Sequence, residues 1–156
     1  MILRKKVCFI GADGVGKTSL IMRKIKNTFS ESYLPTLGCD FYEYDYTGEF
    51  NNNKELYINI WDIASQSMFK KLVVHYLSHT NLAVLVVDID RTEEEYIIPW
   101  LEDVDSIAGE EVQRIIALNK TDLRRKDQEV KKIATELFET YGLKVIPTSA
   151  KLGDNV

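Results

Sequence analysis

A glycine-rich stretch near the amino terminus constrains the fold of this chain more than any other part of the sequence. Residues 11–18 are Gly-Ala-Asp-Gly-Val-Gly-Lys-Thr, which fits the pattern G-x-x-x-x-G-K-[ST]. The apolar run 7–10 precedes this stretch, and residues 17–27 carry apolar side chains at helical spacing. The sequence therefore predicts a strand, a tight loop and a helix in direct succession.

A loop of this kind is suited to binding a polyphosphate. Its glycines let the backbone curl so that N–H groups point inward at phosphate oxygens. Lys17 adds a positive charge for the β- and γ-phosphates, and the Thr18 hydroxyl is a ligand for Mg²⁺. The amino terminus of the following helix also attracts anions. We therefore predict that this loop binds the phosphates of a magnesium–nucleotide complex.

The rest of the chain alternates strands with helices. Residues 41–47 and 56–61 flank a group of turn residues and predict an antiparallel hairpin, with Leu56, Ile58 and Ile60 facing inward. Further strands are predicted at residues 82–87, 115–118 and 145–146, and helices at residues 93–108, where Pro99 kinks or breaks the helix, and 128–141, which Gly142 closes.

This order predicts an α/β fold in one domain that spans residues 1–156. We expect a six-stranded, mostly parallel sheet with helices on both faces and an antiparallel hairpin strand at one edge. The sequence stops at residues 154–156, where a further helix is expected to begin.

Composition narrows the classes of function. The net charge of −4 disfavours a nucleic-acid partner, because phosphate backbones select basic surfaces. The two cysteines, Cys8 and Cys39, predict reduced thiols rather than a disulfide framework. No apolar stretch approaches the roughly 18 residues that span a bilayer. We therefore expect a cytoplasmic protein.

Three further groups of polar residues follow predicted strands. They are Asp62, residues 119–122 (Asn-Lys-Thr-Asp) and residues 149–151 (Ser-Ala-Lys). The carboxyl ends of parallel strands share one edge of a sheet, where ligands bind. Asp122 can accept two hydrogen bonds from adjacent N–H and NH₂ donors, which guanine presents and adenine does not. Because adenine would leave a buried charge unpaired, the sequence predicts a guanine nucleotide.

With these motifs in this order, the chain resembles the Ras-superfamily small GTPases, and most of all their Rab branch. The branch resemblance rests on residues 37–41 (Leu-Gly-Cys-Asp-Phe), on residues 60–62 (Ile-Trp-Asp) and on Tyr76. It implies a P-loop NTPase G domain with GTP or GDP and Mg²⁺ as cofactors. Phe41, Trp61 and Tyr76 stand at the positions where Rab proteins have an aromatic cluster that contacts partners. The alternative is that these three side chains are core residues.

The resemblance also implies the roles of individual residues. Catalysis would use Lys17 and Gln66, the latter to orient the attacking water, and Mg²⁺ would be held by Thr18, Thr36 and, through a water, Asp62. The nucleotide would be bound by Asp13, Gly14, Val15, Gly16, Lys17, Thr18, Ser19, Phe29, Tyr33, Thr36, Asn119, Lys120, Asp122, Ser149, Ala150 and Lys151.

Among these, Phe29 would lie against the guanine face, Lys120 would lie over the base, and Tyr33 would cover the phosphates. Asn119 would tie the base loop to the phosphate loop, and the Ala150 N–H would meet the guanine oxygen.

Three residues depart from the family pattern around the γ-phosphate. Ser65 stands where the family has a glycine whose N–H senses that phosphate, and Ser67 stands where a glutamate is usual. Asp13 places a carboxylate where most relatives have a small or uncharged residue, close to the γ-phosphate and to Gln66. We therefore predict tight guanine-nucleotide binding with slow hydrolysis; the alternative is that both Ser65 and Asp13 are tolerated without effect.

Two rival functions remain open. One is a pseudo-GTPase that acts as a nucleotide-stabilised protein-binding module and does not cycle. The other is an ATP-using P-loop protein such as a nucleotide kinase, which residues 119–122 disfavour.

Partners and localisation are predicted from the resemblance. Effectors, exchange factors and activating proteins would bind through Thr36 to Phe41, Trp61 and Gln66 to Tyr76, in regulation of membrane traffic. No cysteine follows Cys39, so no prenylated anchor is expected on this chain, and a location at membranes is expected only if a longer form carries a lipidated tail. The apparent absence of a last helix would leave an apolar strip on the sheet, covered by a longer form, a second copy or a second module.

Overall fold

The computed structural model describes residues 2–32, 34–46, 55–65, 70–109, 111–124 and 126–156. Within them, six strands form one sheet in the order β2-β3-β1-β4-β5-β6. The strands are β1 (Ile2–Ile10), β2 (Cys39–Tyr46), β3 (Glu55–Ile63), β4 (Leu82–Asp88), β5 (Gln113–Asn119) and β6 (Lys144–Pro147). Only the pairing of β2 with β3 is antiparallel among the described strands. The predicted six-stranded, mostly parallel sheet with a hairpin strand at one edge is confirmed.

Four helices accompany the sheet in the described residues. They are α1 (Lys17–Lys26), α2 (Lys70–Leu77), α3 (Ile98–Ala108) and α4 (Asp127–Tyr141). Pro99 lies in the first turn of α3, where it has no intrahelical hydrogen bond to lose, and a separate 3₁₀ turn covers Glu94–Tyr96. The predicted helix over residues 93–108 is therefore broken in two. Gly142 ends α4 with φ 66°, as its position predicted.

Helices cover both faces of the sheet because β1 and β4 bury side chains on both sides. On β4, Ala83, Leu85 and Val87 pack into one apolar cluster with residues of α2, α3 and α4. Val84 and Val86 face the other way and pack with Leu20 of α1. A strand that is covered on both faces has a continuous apolar sequence, which explains residues 82–87.

The hairpin and the α1 face are less deeply buried than the centre of the sheet. Ile60 of β3 is buried, whereas Leu56 and Ile58 are only half-buried towards the hairpin end. On the α1 face, apolar side chains of β1, β4 and β5 are likewise half-buried, namely Val7, Phe9, Leu82 and Ile115. None of the described helices has the length and apolar character needed to cross a membrane.

The register of the sheet brings four loops to one edge. Asp88 at the end of β4 lies opposite Asn119 at the end of β5, and Leu118 lies opposite Pro147 near the end of β6. β1 ends beside β4, with Ile10 opposite Leu85. The loops that follow these strands therefore start next to one another, which positions the candidate site.

Candidate nucleotide-binding site

A cleft of about 580 Å³ opens at this edge of the sheet. Its walls are the loop after β1 and the start of α1, the segment after α1, the residues just after β3, and the loops after β5 and β6. The predicted nucleotide residues on its surface are Asp13, Gly14, Gly16, Lys17, Thr18, Ser19, Phe29, Thr36, Asn119, Lys120, Asp122, Ala150 and Lys151. Val15 and Ser149 are buried behind it, and Tyr33 and Gln66 lie outside the described residues.

Two glycines let the phosphate loop approach its neighbours closely. Gly11 has φ 137°, and a Cβ on it would lie 2.3 Å from the backbone oxygen of Val86. Gly16 has φ 100°, and a Cβ on it would lie 2.3 Å from Nδ2 of Asn119. Neither conformation nor contact is open to a residue with a side chain. The loop is thus fitted against β4 on one side and against the base loop on the other.

Lys17 places a buried ammonium group inside this loop. The residue is 8% exposed, and its Nζ donates to the carbonyl oxygens of Gly11 at 2.8 Å and Ala12 at 2.9 Å. Burial lowers the pKa of Lys17 from 10.5 to about 8, although the carboxylates of Asp62 and Asp13 oppose that shift. An anion in the loop would stabilise the charged form.

Three oxygen-bearing side chains meet beside Lys17. The Thr18 hydroxyl donates to Oδ2 of Asp62 and lies 2.9 Å from the Thr36 hydroxyl, which is itself 3.5 Å from the same carboxylate oxygen. Burial raises the pKa of Asp62, with the Thr18 hydrogen bond and Lys17 acting against it. Its other oxygen, Oδ1, is buried and has no hydrogen-bond partner among the described residues.

This group fits a hard divalent cation. Hydroxyl, carboxylate and phosphate oxygens are the ligands that Mg²⁺ takes in nucleotide sites, and the unpartnered Asp62 oxygen is an acceptor that a hydrated cation would satisfy. The part of the chain that the structure describes contains no cluster of three or more His, Cys, Asp or Glu side chains able to hold a metal. A cation here would therefore rely on the two threonines and on phosphate oxygens as well as on Asp62.

Asn119 joins the two halves of the cleft. Its Nδ2 donates to the carbonyl oxygen of Val15 at 3.0 Å, and its Oδ1 accepts from the Thr148 hydroxyl at 3.3 Å and the Ala150 N–H at 3.2 Å. The residue is buried, so these bonds replace water. The position of the phosphate loop is therefore coupled to that of the loops after β5 and β6.

Two residues of the loop after β5, Asp122 and Lys120, have defined side-chain partners. The Ser149 hydroxyl donates to Oδ1 of Asp122 at 2.6 Å. Lys120, held at φ 64°, forms an ion pair from its Nζ to Oδ2 of Asp88 at 2.7 Å. Because the Ala150 N–H donates to Asn119 here, its contact with a guanine oxygen stays a prediction, as does the contact of Lys120 with the base.

Two side chains that sequence reasoning missed cross the base end of the cleft. Arg23 of α1 donates from Nε to the Ala150 carbonyl at 2.8 Å and from Nη2 to the Lys151 carbonyl at 2.7 Å. Glu31 forms an exposed ion pair with Lys151 at 2.9 Å. No local motif marks either residue.

Asp88 and Arg91 were also missed. Asp88 ends a strand at the ligand edge, so the strand-end argument that selected Asp62 also applied to it. Arg91 donates from Nη2 to the backbone oxygen of Asp13 at 2.7 Å, and the Ser65 hydroxyl donates to Oδ1 of the same aspartate at 3.4 Å. Two residues that depart from the family pattern are thus in contact.

Comparison with known proteins shows to which protein family the chain belongs. The Ras family model matches residues 6–156. Over 152 residues the chain is 34% identical to the Ras-related protein Rab-13 of Canis lupus familiaris, a match that covers 97% of this chain and 73% of that relative. The Ras-related protein Rab-13 of Mesocricetus auratus matches with the same identity and coverage. The chain belongs to the Ras family of small GTPases, and it is Rab-like.

Proposed function

We propose that this chain binds GDP and GTP with Mg²⁺ in the cleft and acts as a molecular switch that hydrolyses GTP slowly. The observation that carries the proposal is the pair of hydrogen bonds by which Asn119 joins the phosphate loop to the base loop. One ligand that has both a base and a polyphosphate accounts for this arrangement. Family membership supports GTPase activity in general.

Base selection is assigned to Asp122. Ser149 occupies one of its oxygens and orients the carboxylate. The remaining acceptor capacity matches the adjacent N–H and NH₂ of guanine, whereas adenine would leave it unsatisfied. ATP is therefore expected to compete poorly with GDP.

The phosphate end neutralises charge. Lys17 and the backbone N–H groups of the loop would bind the phosphates, and the amino terminus of α1 points into the same space. Thr18, Thr36 and Asp62 would hold Mg²⁺, which supplies charge neutralisation to the phosphates. Catalysis then depends on positioning a water in line with the γ-phosphate, a role we assign to Gln66, outside the described residues.

Slow hydrolysis is proposed because of Asp13 and Ser65. Asp13 adds negative charge at the end of the cleft opposite the base, and Ser65 carries a Cβ where the family has glycine. Asp13 opposes the charge neutralisation that γ-phosphate cleavage requires, and Ser65 restricts the backbone movement that it requires.

The test measures nucleotide content and turnover on the same preparation. We expect the gently purified chain to release GDP or GTP on denaturation, and multiple-turnover phosphate release to be slow and to accelerate in Ser65→Gly and Asp13→Gly. An Asp122→Asn control should transfer preference from guanine to xanthine, because the new amide N–H matches an oxygen at C2. A chain that binds ATP as well as GDP would refute the proposed function.

The non-cycling binding module is kept as a second candidate because the Ser65–Asp13 contact favours it. Bound guanine nucleotide together with no phosphate release from added GTP, unchanged by Ser65→Gly, would select this candidate over a switch.

We also propose that protein partners bind beside the cleft, over Thr36 to Phe41, Trp61 and residues 66–76. The Phe41 and Trp61 ring centroids are 4.4 Å apart, and those of Trp61 and Tyr76 are 6.2 Å apart. Phe41 is 59% exposed and Leu37 is 72% exposed, which is typical of a docking surface, whereas Trp61 and Tyr76 are partly buried and pack against the core. Effectors, exchange factors and activating proteins are the expected occupants, in a role in membrane traffic.

A further inference from the structure

Two contacts within the described part of the chain tie Asp13 to other segments. Its backbone oxygen accepts from Arg91 at 2.7 Å, and its carboxylate accepts from the Ser65 hydroxyl at 3.4 Å. Arg91 is itself 3.9 Å from the buried carboxylate of Asp88 and lies over the Tyr96 ring at 5.4 Å. The main chain at Asp13 is therefore anchored to the end of β4, while its side chain is tied to the segment after β3.

The position of the Asp13–Ser65 contact in the cleft indicates which part of a bound nucleotide would lie beside it. All of Asp13, Thr36, Ser65, Asp122 and Ala150 line the cleft. Because β5 and β6 lie at one side of the sheet and β3 and β1 at the other, we place Asp122 and Ala150 at one end of the cleft and Asp13, Thr36 and Ser65 at the other. With the base at Asp122 and the first phosphates beside Lys17, the last phosphate of a triphosphate must reach the Asp13 end. A diphosphate stops short of it.

The chemistry at that end disfavours a third phosphate. The Asp13 carboxylate adds a like charge beside the position of the last phosphate, and like charges at short range repel. Ser65 has one hydroxyl proton, and the carboxylate is its acceptor, so this donor is not available to a phosphate oxygen unless the contact breaks. The Arg91 anchor on the main chain keeps the carboxylate from moving out of the cleft with its loop.

We propose that the Asp13–Ser65 contact is a specificity element that makes the site prefer GDP to GTP. The proposal rests on the guanine-nucleotide function proposed above. Asp13 supplies the repulsion, and Ser65 positions the carboxylate inside the cleft. The switch would therefore rest in its diphosphate form, and a triphosphate would bind well only when something displaces this contact.

The experiment compares affinities for GDP and for a GTP analogue with a non-hydrolysable imido bridge, each by displacement of a fluorescent GDP in buffer with Mg²⁺. The unaltered chain should bind GDP the more tightly. Asp13→Asn, which removes the charge at constant shape, should raise affinity for the analogue relative to GDP by about tenfold or more. Asp13→Gly serves as the second variant and should act in the same direction.

Ser65→Ala tests the positioning role. It should lower the GDP preference by a smaller factor, because the Asp13 charge stays while one of its contacts is lost, and it should have no further effect once Asp13 is Asn. Glu31→Gln is the matched control, since it removes a carboxylate at the other end of the cleft. That change should alter both affinities by the same factor.

The outcomes separate the two proposals. Failure of the unaltered chain to bind either nucleotide would overturn the guanine-nucleotide function. Tight GDP binding together with an unchanged GDP-to-analogue ratio in Asp13→Asn and Asp13→Gly would overturn the specificity element alone. Additive effects of Ser65→Ala and Asp13→Asn would show that the two residues do not act as a pair.

Discussion

At the scale of the residue, Lys17 shows how burial and function oppose each other in this site. Its ammonium group is removed from water and bonded only to neutral carbonyl oxygens in the described contacts. The lowered pKa of about 8 follows from that burial. The phosphates of a nucleotide would compensate the ammonium group for its lost hydration, so nucleotide binding would offset the cost of burying Lys17.

The first prediction concerns proton uptake by Lys17. Phosphates favour the charged lysine, so GDP binding near pH 8 should take up protons, and GDP affinity should fall as pH rises above about 8. Calorimetry in two buffers of different ionisation enthalpy measures the uptake. Lys17→Arg cannot lose its charge and should bind without this uptake. Equal heats in both buffers for the unaltered chain would contradict the assignment.

The same pKa fixes the sign of a stability effect. Between about pH 8 and pH 10.5 the unfolded chain holds the Lys17 proton and the folded chain does not. Stability rises with pH wherever the unfolded state binds more protons, so this group's contribution to the nucleotide-free chain increases through that window.

At the scale of the element, the loop after β1 depends on how closely it packs. Gly11 has a Cβ position 2.3 Å from a backbone oxygen of β4, which cannot move without breaking the sheet. Gly142 shares a positive φ, yet a Cβ there would meet nothing within 4 Å. A side chain at Gly142 would therefore cause backbone strain alone, whereas a side chain at Gly11 would cause both backbone strain and a steric clash.

The second prediction uses this pair. Gly11→Ala should reduce the free energy of unfolding by about 3 kcal/mol or more, because strain and overpacking add. Gly142→Ala should cost about 1 kcal/mol, from strain alone. Urea denaturation of both variants measures the difference. Equal losses would show that the contact with Val86 relaxes freely.

The elements were predictable where local pattern decides them. β4 and β5 have continuous apolar runs and α4 has helical spacing with a closing glycine, so each was predicted to within about two residues. β1 was predicted only from residue 7, but pairing with β3 extends it back to Ile2, which lies opposite Glu55. That extension is set by a partner strand, and no local signal in residues 2–6 reveals it.

The site was predictable to the extent that it lies at strand ends. Asp62 and Asn119 lie at the carboxyl ends of β3 and β5, and Asp122 follows β5. The structure places all three around one cleft or directly behind it. Arg91 and Arg23 reach partners 78 and 127 positions away in sequence. Such contacts depend on how long side chains cross a folded surface, which spacing alone cannot supply.

At the scale of the whole molecule, contacts distant in sequence close the cleft. The segment after α1 and the loop after β6 are 120 positions apart at Glu31 and Lys151, and their ion pair spans the base end. Both side chains are exposed, so the pair is screened by salt and stabilises the fold little. Its effect is expected in the rate at which a ligand leaves.

The third prediction is that Glu31→Gln speeds GDP release. We expect about a two- to threefold increase at low salt, which disappears at high salt as the pair is screened. Release of a fluorescent GDP, followed at two salt concentrations, is the measurement. Glu43→Gln removes a comparable exposed pair, with Arg4 at 2.7 Å, away from the cleft and should leave release unchanged. An acceleration in Glu31→Gln that persists at high salt would point to a cause other than this pair.

The bridging position of Asn119 has a consequence for incomplete ligands. Because one buried side chain bonds to both loops, ordering either loop removes conformational freedom from the other. A nucleoside alone, or pyrophosphate alone, would bear the entropy cost of ordering both loops while making only half of the contacts. We therefore expect the cleft to bind a nucleoside or pyrophosphate weakly and the intact nucleotide much more tightly than the two fragments would suggest.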